Sequence, residues 1–352
     1  VGGLAVPTPS KQFCHGMLGY LPKGVAIKEK QMYDFLRNYV KQSQGKNIFV
    51  KPVGGNDGNS GLTPTAAVKT LKQALALATA NQNDCVYLLS EGNSASATTD
   101  YQTTTLDWNK DHVHLIGVNC GPLFAQRSRV ALISTYDTAS NLFTLSANGC
   151  LIENVEFFEG VAGTNPTGCM RVTGDRNKIK NCHIAGIGND ANDIAGAYSL
   201  SLQGADENYF EDCVIGLDTI GRGSAANHEI LVGDSSNYVC QRNVFRKCII
   251  HGLCASAGNY LFLKLPAAGS ISRFILFDDC VFINPSTSVS GGAAMTSAFS
   301  VHASAGGYVL LHNTAVVGAA DLNAAADTGL ILTDSPAVQT TDAAIMVANV
   351  KT

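Results

Sequence analysis

Charge and aromatic rings are both scarce in this chain. Charged residues make up 15% of the 352, and aromatics 7% with a single tryptophan, Trp108. Few rings leave few platforms on which a sugar or a base could stack. The formal net charge of −4 argues against a nucleic-acid partner. No apolar run approaches membrane-spanning length, so no membrane partner is expected. The opening Val1-Gly2-Gly3-Leu4-Ala5-Val6-Pro7 lacks the basic start and apolar core of a signal peptide. A phosphate-cradling loop is also missing, as are the regular leucines and the helix per repeat of a leucine-rich solenoid.

What the chain does contain is a recurring phrase. Asn177-Lys178-Ile179-Lys180-Asn181-Cys182-His183-Ile184-Ala185-Gly186 returns as Asn208-Tyr209-Phe210-Glu211-Asp212-Cys213-Val214-Ile215-Gly216. It returns again as Asn243-Val244-Phe245-Arg246-Lys247-Cys248-Ile249-Ile250-His251-Gly252 and as Phe277-Asp278-Asp279-Cys280-Val281-Phe282. Cys182, Cys213, Cys248 and Cys280 sit 31, 35 and 32 residues apart. Earlier and later copies put Val155 and Thr314 in the cysteine slot. Alternation of period two marks a strand with one buried face, so Ile179, Cys182 and Ile184 point inward. The odd step between the first two requires a bend at Asn181, or at Asp212 in the next copy, residue types that tolerate one. Short strands, a bend and glycine-ended turns in about thirty residues predict an all-β, right-handed parallel β-helix solenoid.

Charge is unevenly placed along this solenoid. Residues 1–51 hold eight Lys/Arg against Glu29 and Asp34, a net +6 that leaves −10 for the rest. The span 1–46 therefore reads as a basic N-terminal arm, with Lys11, Lys23, Lys28, Lys30, Arg37 and Lys41 as a partner-binding set; a solvated linker is the alternative. Met32, Phe35, Leu36, Tyr39 and Val40 recur there at helical spacing. The solenoid is expected over 47–318, with Thr63 and Pro64 opening a capping helix at about 64–80. Val68, Leu71, Leu75 and Ala78 form its buried face. A C-terminal strand and tail fill 319–352. Segments 92–108, 160–170, 186–200, 217–229 and 284–300, rich in Ala, Thr, Ser and Asn, read as loops leaving the coils.

Eleven cysteines, an odd number, with four stacked inside the repeat, indicate buried free thiols and a reducing compartment. Adjacent Asp278-Asp279 suggest a catalytic pair. However, Asp279 shares the bend slot with Asn154, Asn181, Asp212, Lys247 and Asn313, and a slot that accepts lysine is structural. Asp190, Asp218 and His228 are the remaining catalytic candidates. Their neighbourhood, with Asn189, Asp193 and Asp206-Glu207, also reads as a calcium site or as a loop of Asx turns. Asn56-Asp57-Gly58-Asn59-Ser60 invites the same choice but lacks a closing bidentate Glu. Cys240, Cys248, His251 and Cys254 are zinc-type ligands, yet Cys248 occupies the inward slot. No active site, metal site or cofactor site is assembled by these residues.

Ile48-Phe49-Val50-Lys51-Pro52-Val53-Gly54-Gly55-Asn56-Asp57-Gly58-Asn59-Ser60-Gly61-Leu62-Thr63-Pro64, followed by Ala66, Lys69-Thr70-Leu71 and Ala74, resembles the opening of pectin-lyase-like β-helix proteins. The coils over roughly 84–318 resemble the same superfamily. The Asn-Thr-Asp, Gly-His-Gly and Arg-Ile-Lys signatures of its hydrolases are absent; His251-Gly252 is only a fragment. In its Ala/Thr/Ser-rich segments, free cysteines and irregular tail around Ser335-Pro336-Ala337-Val338-Gln339, the chain is similar to structural β-helix proteins of tailed-phage virions. That resemblance implies a homotrimer in a virion assembled in the host cytoplasm. The expected role is a capsid decoration (cement) protein whose arm binds the major capsid protein or another virion protein. The alternatives are a tailspike or tail-fibre receptor-binding protein, a polysaccharide lyase or glycosidase, and an adhesin that binds a glycan without turnover.

Overall fold

The computed structural model describes residues 45–91, 99–118, 128–135, 140–163, 167–223, 225–234, 237–285, 291–324, 331–333, 338–339 and 345–346. Lys11, Lys23, Lys28, Lys30, Arg37 and Lys41 lie outside the described residues, as does most of 334–352. From Lys46 onward the described chain belongs to one compact unit.

Three long sheets run side by side through that unit, of ten, ten and eight strands. The first takes, in chain order, Asn47–Val50, Cys85–Leu89, His114–Val118, Leu151–Glu153, Lys178–Lys180, Tyr209–Glu211, Asn243–Arg246, Phe274–Asp278, Tyr308–His312 and Ile331–Thr333. The second runs from Thr99–Gln102 through His183–Ala185, Val214–Ile215 and Ile249–His251 to Val338–Gln339, where Ile345–Met346 adds an antiparallel edge. The third holds Leu106–Trp108, Asn141–Leu145, Gly168–Val172, Tyr198–Leu202, Asn227–Val232, Tyr260–Leu265, Met295–Val301 and Ala319–Asn323. Most coils give one strand to each sheet in turn, and successive coils pair in parallel. This is a parallel β-helix.

Its interior is built from rows of like residues about 4.8 Å apart. Ile152, Ile179, Phe210, Phe245 and Phe277 share one register position of the first sheet and are all fully buried. The Phe210, Phe245 and Phe277 rings stack at centroid distances of 4.5 and 4.8 Å. The next row is the corner. Asn154, Asn181, Asp212, Lys247, Asp279 and Asn313 all have φ between 44° and 61°. One left-handed residue per coil turns the chain from the first sheet into the second, which is why Asn and Asp predominate there. Neighbouring corner amides also bond along the stack, Asn181 Nδ2 donating to Asn154 Oδ1 at 2.7 Å.

The cysteine slot follows the corner, and hydrogen bonding accounts for its membership. Each thiol of Cys182, Cys213, Cys248 and Cys280 donates to the carbonyl two residues earlier, at 3.3–3.4 Å, and to one a coil back, at 3.4–3.6 Å. Thr314 Oγ1 makes the same pair of contacts, to His312 O at 2.9 Å and Phe277 O at 3.0 Å. A small donor is what the slot selects. Nine cysteines in the described chain are buried and free.

A second buried row guards the entry to the first sheet. Asn177 Oδ1 accepts from Cys150 N at 2.8 Å, Asn208 Oδ1 from Asn177 N at 2.9 Å, and Asn243 Oδ1 from Asn208 N at 3.0 Å. Their amide nitrogens donate to Ala147 O, Gly174 O and Ala205 O. Backbone groups of the turn between the third and first sheets are thereby satisfied away from water.

Two expectations change. The capping helix over 64–80 is divided: Pro64–Ala66 is a short 3-10 turn capped by Thr63, and the α-helix is only Leu71–Leu77, capped by Thr70. Between them Val68 bridges to Val50, while Asp57 Oδ1 accepts from Lys69 N and Thr70 N at 2.8 and 2.9 Å. Those bonds hold the backbone extended where a continuous helix would run. The supposed loops at 92–108, 160–170, 186–200, 217–229 and 284–300 also end in strands of the third sheet. Those strands carry polar outward residues and skip one residue of the ladder, Gly168 pairing Tyr198 and Met170 pairing Leu200, so period two fails within them.

Asn208→Ala should lower stability by about 2 kcal/mol or more, because it strands the buried Asn177 N–H and Gly174 carbonyl. A shifted urea midpoint measures this.

Candidate functional site

The third sheet supplies the described surface with the most unspent polar capacity. Met170, Leu200, Ile230 and Leu263 share one inward register position. Alternation therefore sends Thr144, Arg171, Ser201, Leu231, Lys264 and Ser300 outward in one row. Gly168, Tyr198, His228 and Leu261 form a second outward row. A Cβ on Gly168 would meet the Tyr198 ring at 2.2 Å, so glycine there lets the phenol lie flat on the sheet. On this face Arg171 Nε, Ser201 Oγ, Gln203 Oε1 and His228 Nε2 are buried without a hydrogen-bond partner. A buried polar atom left unpaired costs about 1–3 kcal/mol, so four in one place point to something that completes them.

Electrostatically the face mixes donors, Arg171 Nε and Ser201 Oγ, with an acceptor, Gln203 Oε1. Burial, with Lys264 nearby, pushes His228 down to about 3, so its imidazole is neutral at ordinary pH. Burial raises Tyr198 to about 12 and keeps its phenol protonated. Arg171 and Lys264 add cations, and the neighbouring carboxylate, Asp234, is held by Gln203 Nε2 at 2.8 Å. Oxygen-rich or anionic groups match such a surface. General acid–base chemistry on a glycoside needs two suitably spaced carboxyl groups, and the face does not supply that pair.

Behind the face lies a buried ion pair. Leu142, Cys169, Ser199, Glu229, Phe262 and Ala298 occupy one fully buried register position, and Glu229 is its charged member. Arg222 Nη2 lies 3.3 Å from Glu229 Oε1, and both side chains are fully buried. Tyr260 Oη donates to the same oxygen at 3.0 Å, and Ser199 Oγ donates to Oε2. The guanidinium also donates to Ile187 O at 2.8 Å and Gly186 O at 3.1 Å. Arg222 thus ties the segment leaving the second sheet into the strand that bears His228. Removing one partner of such a pair costs about 3–5 kcal/mol.

The other candidates fall elsewhere. Asp190 is exposed at the start of a 3-10 turn capped by Asn189. Asp218 is also exposed, and its Oδ2 lies 3.7 Å from His251 Nδ1 on the second sheet. No hydrogen bond or ion pair joins Asp190, Asp218 and His228, so the sequence-level trio is not one site. Asp193 takes Gly223 N at 2.9 Å and Asn227 Nδ2 at 2.5 Å, and Asp206 takes Gln241 N and Nε2, so these carboxylates brace turns. Asn56 Oδ1 accepts from Gly58 N at 2.9 Å, an Asx turn. Cys248 points inward and His251 outward, so they do not converge on a metal. Cys182, Cys213, Cys248 and Cys280 are interior donors, as described.

A cleft of about 500 Å3 near the N-terminal cap went unread in the sequence. It is lined by Pro52, Val53, Lys69, Thr70, Thr99, Asp100 and Tyr101. Burial raises Asp100 to about 7 although Leu71 N and Gln102 Nε2 donate to its Oδ2 at 3.0 and 2.6 Å. Asp100 is thus a protonatable acid near neutrality, while Asp57 beside it is occupied by backbone.

These shifts set a pH dependence. His228 and His183, pushed down to about 3 and about 4 mainly by burial, refuse protons that the unfolded chain accepts below 6.5. Stability therefore falls as pH drops from 6.5 toward 4 on their account, while Asp100, raised to about 7 from 3.8, contributes the opposite slope. His228→Gln should flatten the loss by about 1.4 kcal/mol per pH unit over that window, read from urea midpoints between pH 4 and 7.

No family model and no curated protein matches the chain. Solved structures do. A pectate lyase superposes with a TM-score of 0.51 at 11% identity, covering 88% of this chain and 83% of that one. A pectin methylesterase solved in complex with a hexasaccharide gives 0.50 at 14% identity, covering 79% and 81%. Identities this low carry no residue roles. In fold, the chain is a right-handed parallel β-helix.

Proposed function

We propose that this chain is a non-catalytic structural β-helix of a virion, a capsid decoration protein that associates as a homotrimer and binds the head shell through residues 1–46. The observation that carries this reading is how the described solenoid wall spends its charges. Outward positions of the first sheet read Glu153, Lys180, Glu211, Arg246, Asp278 and His312 along the stack, alternating in sign up to the final histidine. Glu211 is held by Lys178 at 2.8 Å and Lys180 at 3.6 Å, and Asp278 by Arg246 at 3.3 Å and His312 at 2.6 Å. At the adjoining turn Glu207 is clamped between Arg176 at 2.7 Å and Arg242 at 2.5 Å. Carboxylates locked to cations one coil away stiffen a rod and are poorly placed to exchange protons with a substrate. Each exposed pair contributes little alone, but a continuous network holds its side chains in place.

Buried free thiols accord with assembly in a reducing cytoplasm. The basic arm on an acidic body supplies complementarity for a docked partner, the major capsid protein or another virion protein. The unpaired polar atoms on the third sheet, donors and an acceptor together, favour a second reading, a receptor-binding virion protein that holds a hydroxyl-rich glycan there without cleaving it. Deleting residues 1–46 separates the anchoring claim from the rest: the truncated chain should fold yet be lost from purified particles. Full retention on particles would contradict the anchor.

A further inference from the structure

We propose that the outer face of the first sheet, between Tyr209 and Leu310, is a self-association surface that receives the same face of a second copy of this chain. Tyr209, Val244, Leu276 and Leu310 occupy one outward register position on four consecutive coils. Phe274 and Tyr308 extend the stripe, with Tyr308 45% exposed and the other five partly exposed. Apolar side chains aligned on successive coils make a continuous outward band, and such bands on otherwise polar surfaces mark docking sites. Tyrosine and aliphatic residues beside a charged rim are the composition of an interface core.

Two features identify the occupant. The band repeats with the coil, about every 4.8 Å along the axis. A partner helix, with a pitch of about 5.4 Å, would drift out of register over these coils, whereas another solenoid keeps step. The rim beside the band, Lys180, Glu211, Arg246 and Asp278, alternates in sign at the same spacing. A partner of one charge sign meets repulsion at every second position. A second copy presents the same alternation, and a shift of one coil sets each cation opposite an anion. Such a contact is isologous and closes as a pair, separate from the threefold contact of the proposed homotrimer, which uses other surfaces.

This surface does not depend on where the protein resides, because it is read in solution and not on particles. Sedimentation velocity of the full chain over a wide concentration range is the test. The wild type should self-associate. Leu276→Lys and, separately, Val244→Lys should weaken association at least about tenfold, a loss of about 1.4 kcal/mol. Their far-ultraviolet spectra and urea midpoints should stay near wild type, since both side chains lie outside the core. Tyr308→Ser, at the exposed end of the band, is the milder variant that guards against misfolding and should weaken association in the same direction. A wild-type chain that stays monomeric throughout, as it would if residues 1–44 covered the band, overturns the proposal. So does an oligomer that all three variants leave unchanged.

Discussion

Every coil must bring the backbone back to the same place about 4.8 Å further along the axis, and from 154 to 313 each coil leaves the first sheet through one left-handed residue. That corner, from Asn154 to Asn313, is where the rest of the geometry is set. It fixes which residues of the first two sheets face inward, so like residues fall above one another. Stacking then makes buried polar groups tolerable, because each amide or thiol finds a partner a coil away. The same repetition on the outside brings opposite charges into line. Lys247 sits at the corner although a β-carbon costs about 1 kcal/mol there, which shows how firmly its neighbours dictate the turn.

The first two sheets were legible in the sequence because their strands are short, alternate cleanly and are broken at a residue type with a known backbone habit. Asn181 and Asp212 announced the bend, and Cys182 and Cys213 announced the inward slot after it. The third sheet was hidden. Ser199 and Glu229 sit where the ladder skips a residue, so an inward position looks like a break in the period. Arg171, Ser201 and Lys264 on its outer face have the composition of loop. No sequence period could pair Arg222 with Glu229, since that contact depends on how a segment between sheets folds back. Asp100 and Lys69 meet only because the cap returns to the second coil.

The donor-rich face and the ion pair behind it divide the work on the third sheet. Arg222 and Glu229 spend their charges on each other and on local carbonyls and hydroxyls, which makes them a brace. One residue away His228 is held neutral and unpaired, with Arg171, Ser201 and Gln203 on the same face. A rigid wall carrying unsatisfied polar atoms is suited to binding. The carboxylates suggested as catalytic are exposed singly or committed to neighbours. Solved polysaccharide-active enzymes share the fold, which speaks to how the chain is built and leaves its chemistry to its own residues.

The role we propose for the chain is that of a building block repeated with a virion shell. Its most direct test is the molar ratio of this chain to the main shell protein in purified particles, measured by quantitative mass spectrometry. The account predicts many copies in a fixed small-integer ratio to the shell. A handful per particle would place it in the tail, and none at all would contradict the account.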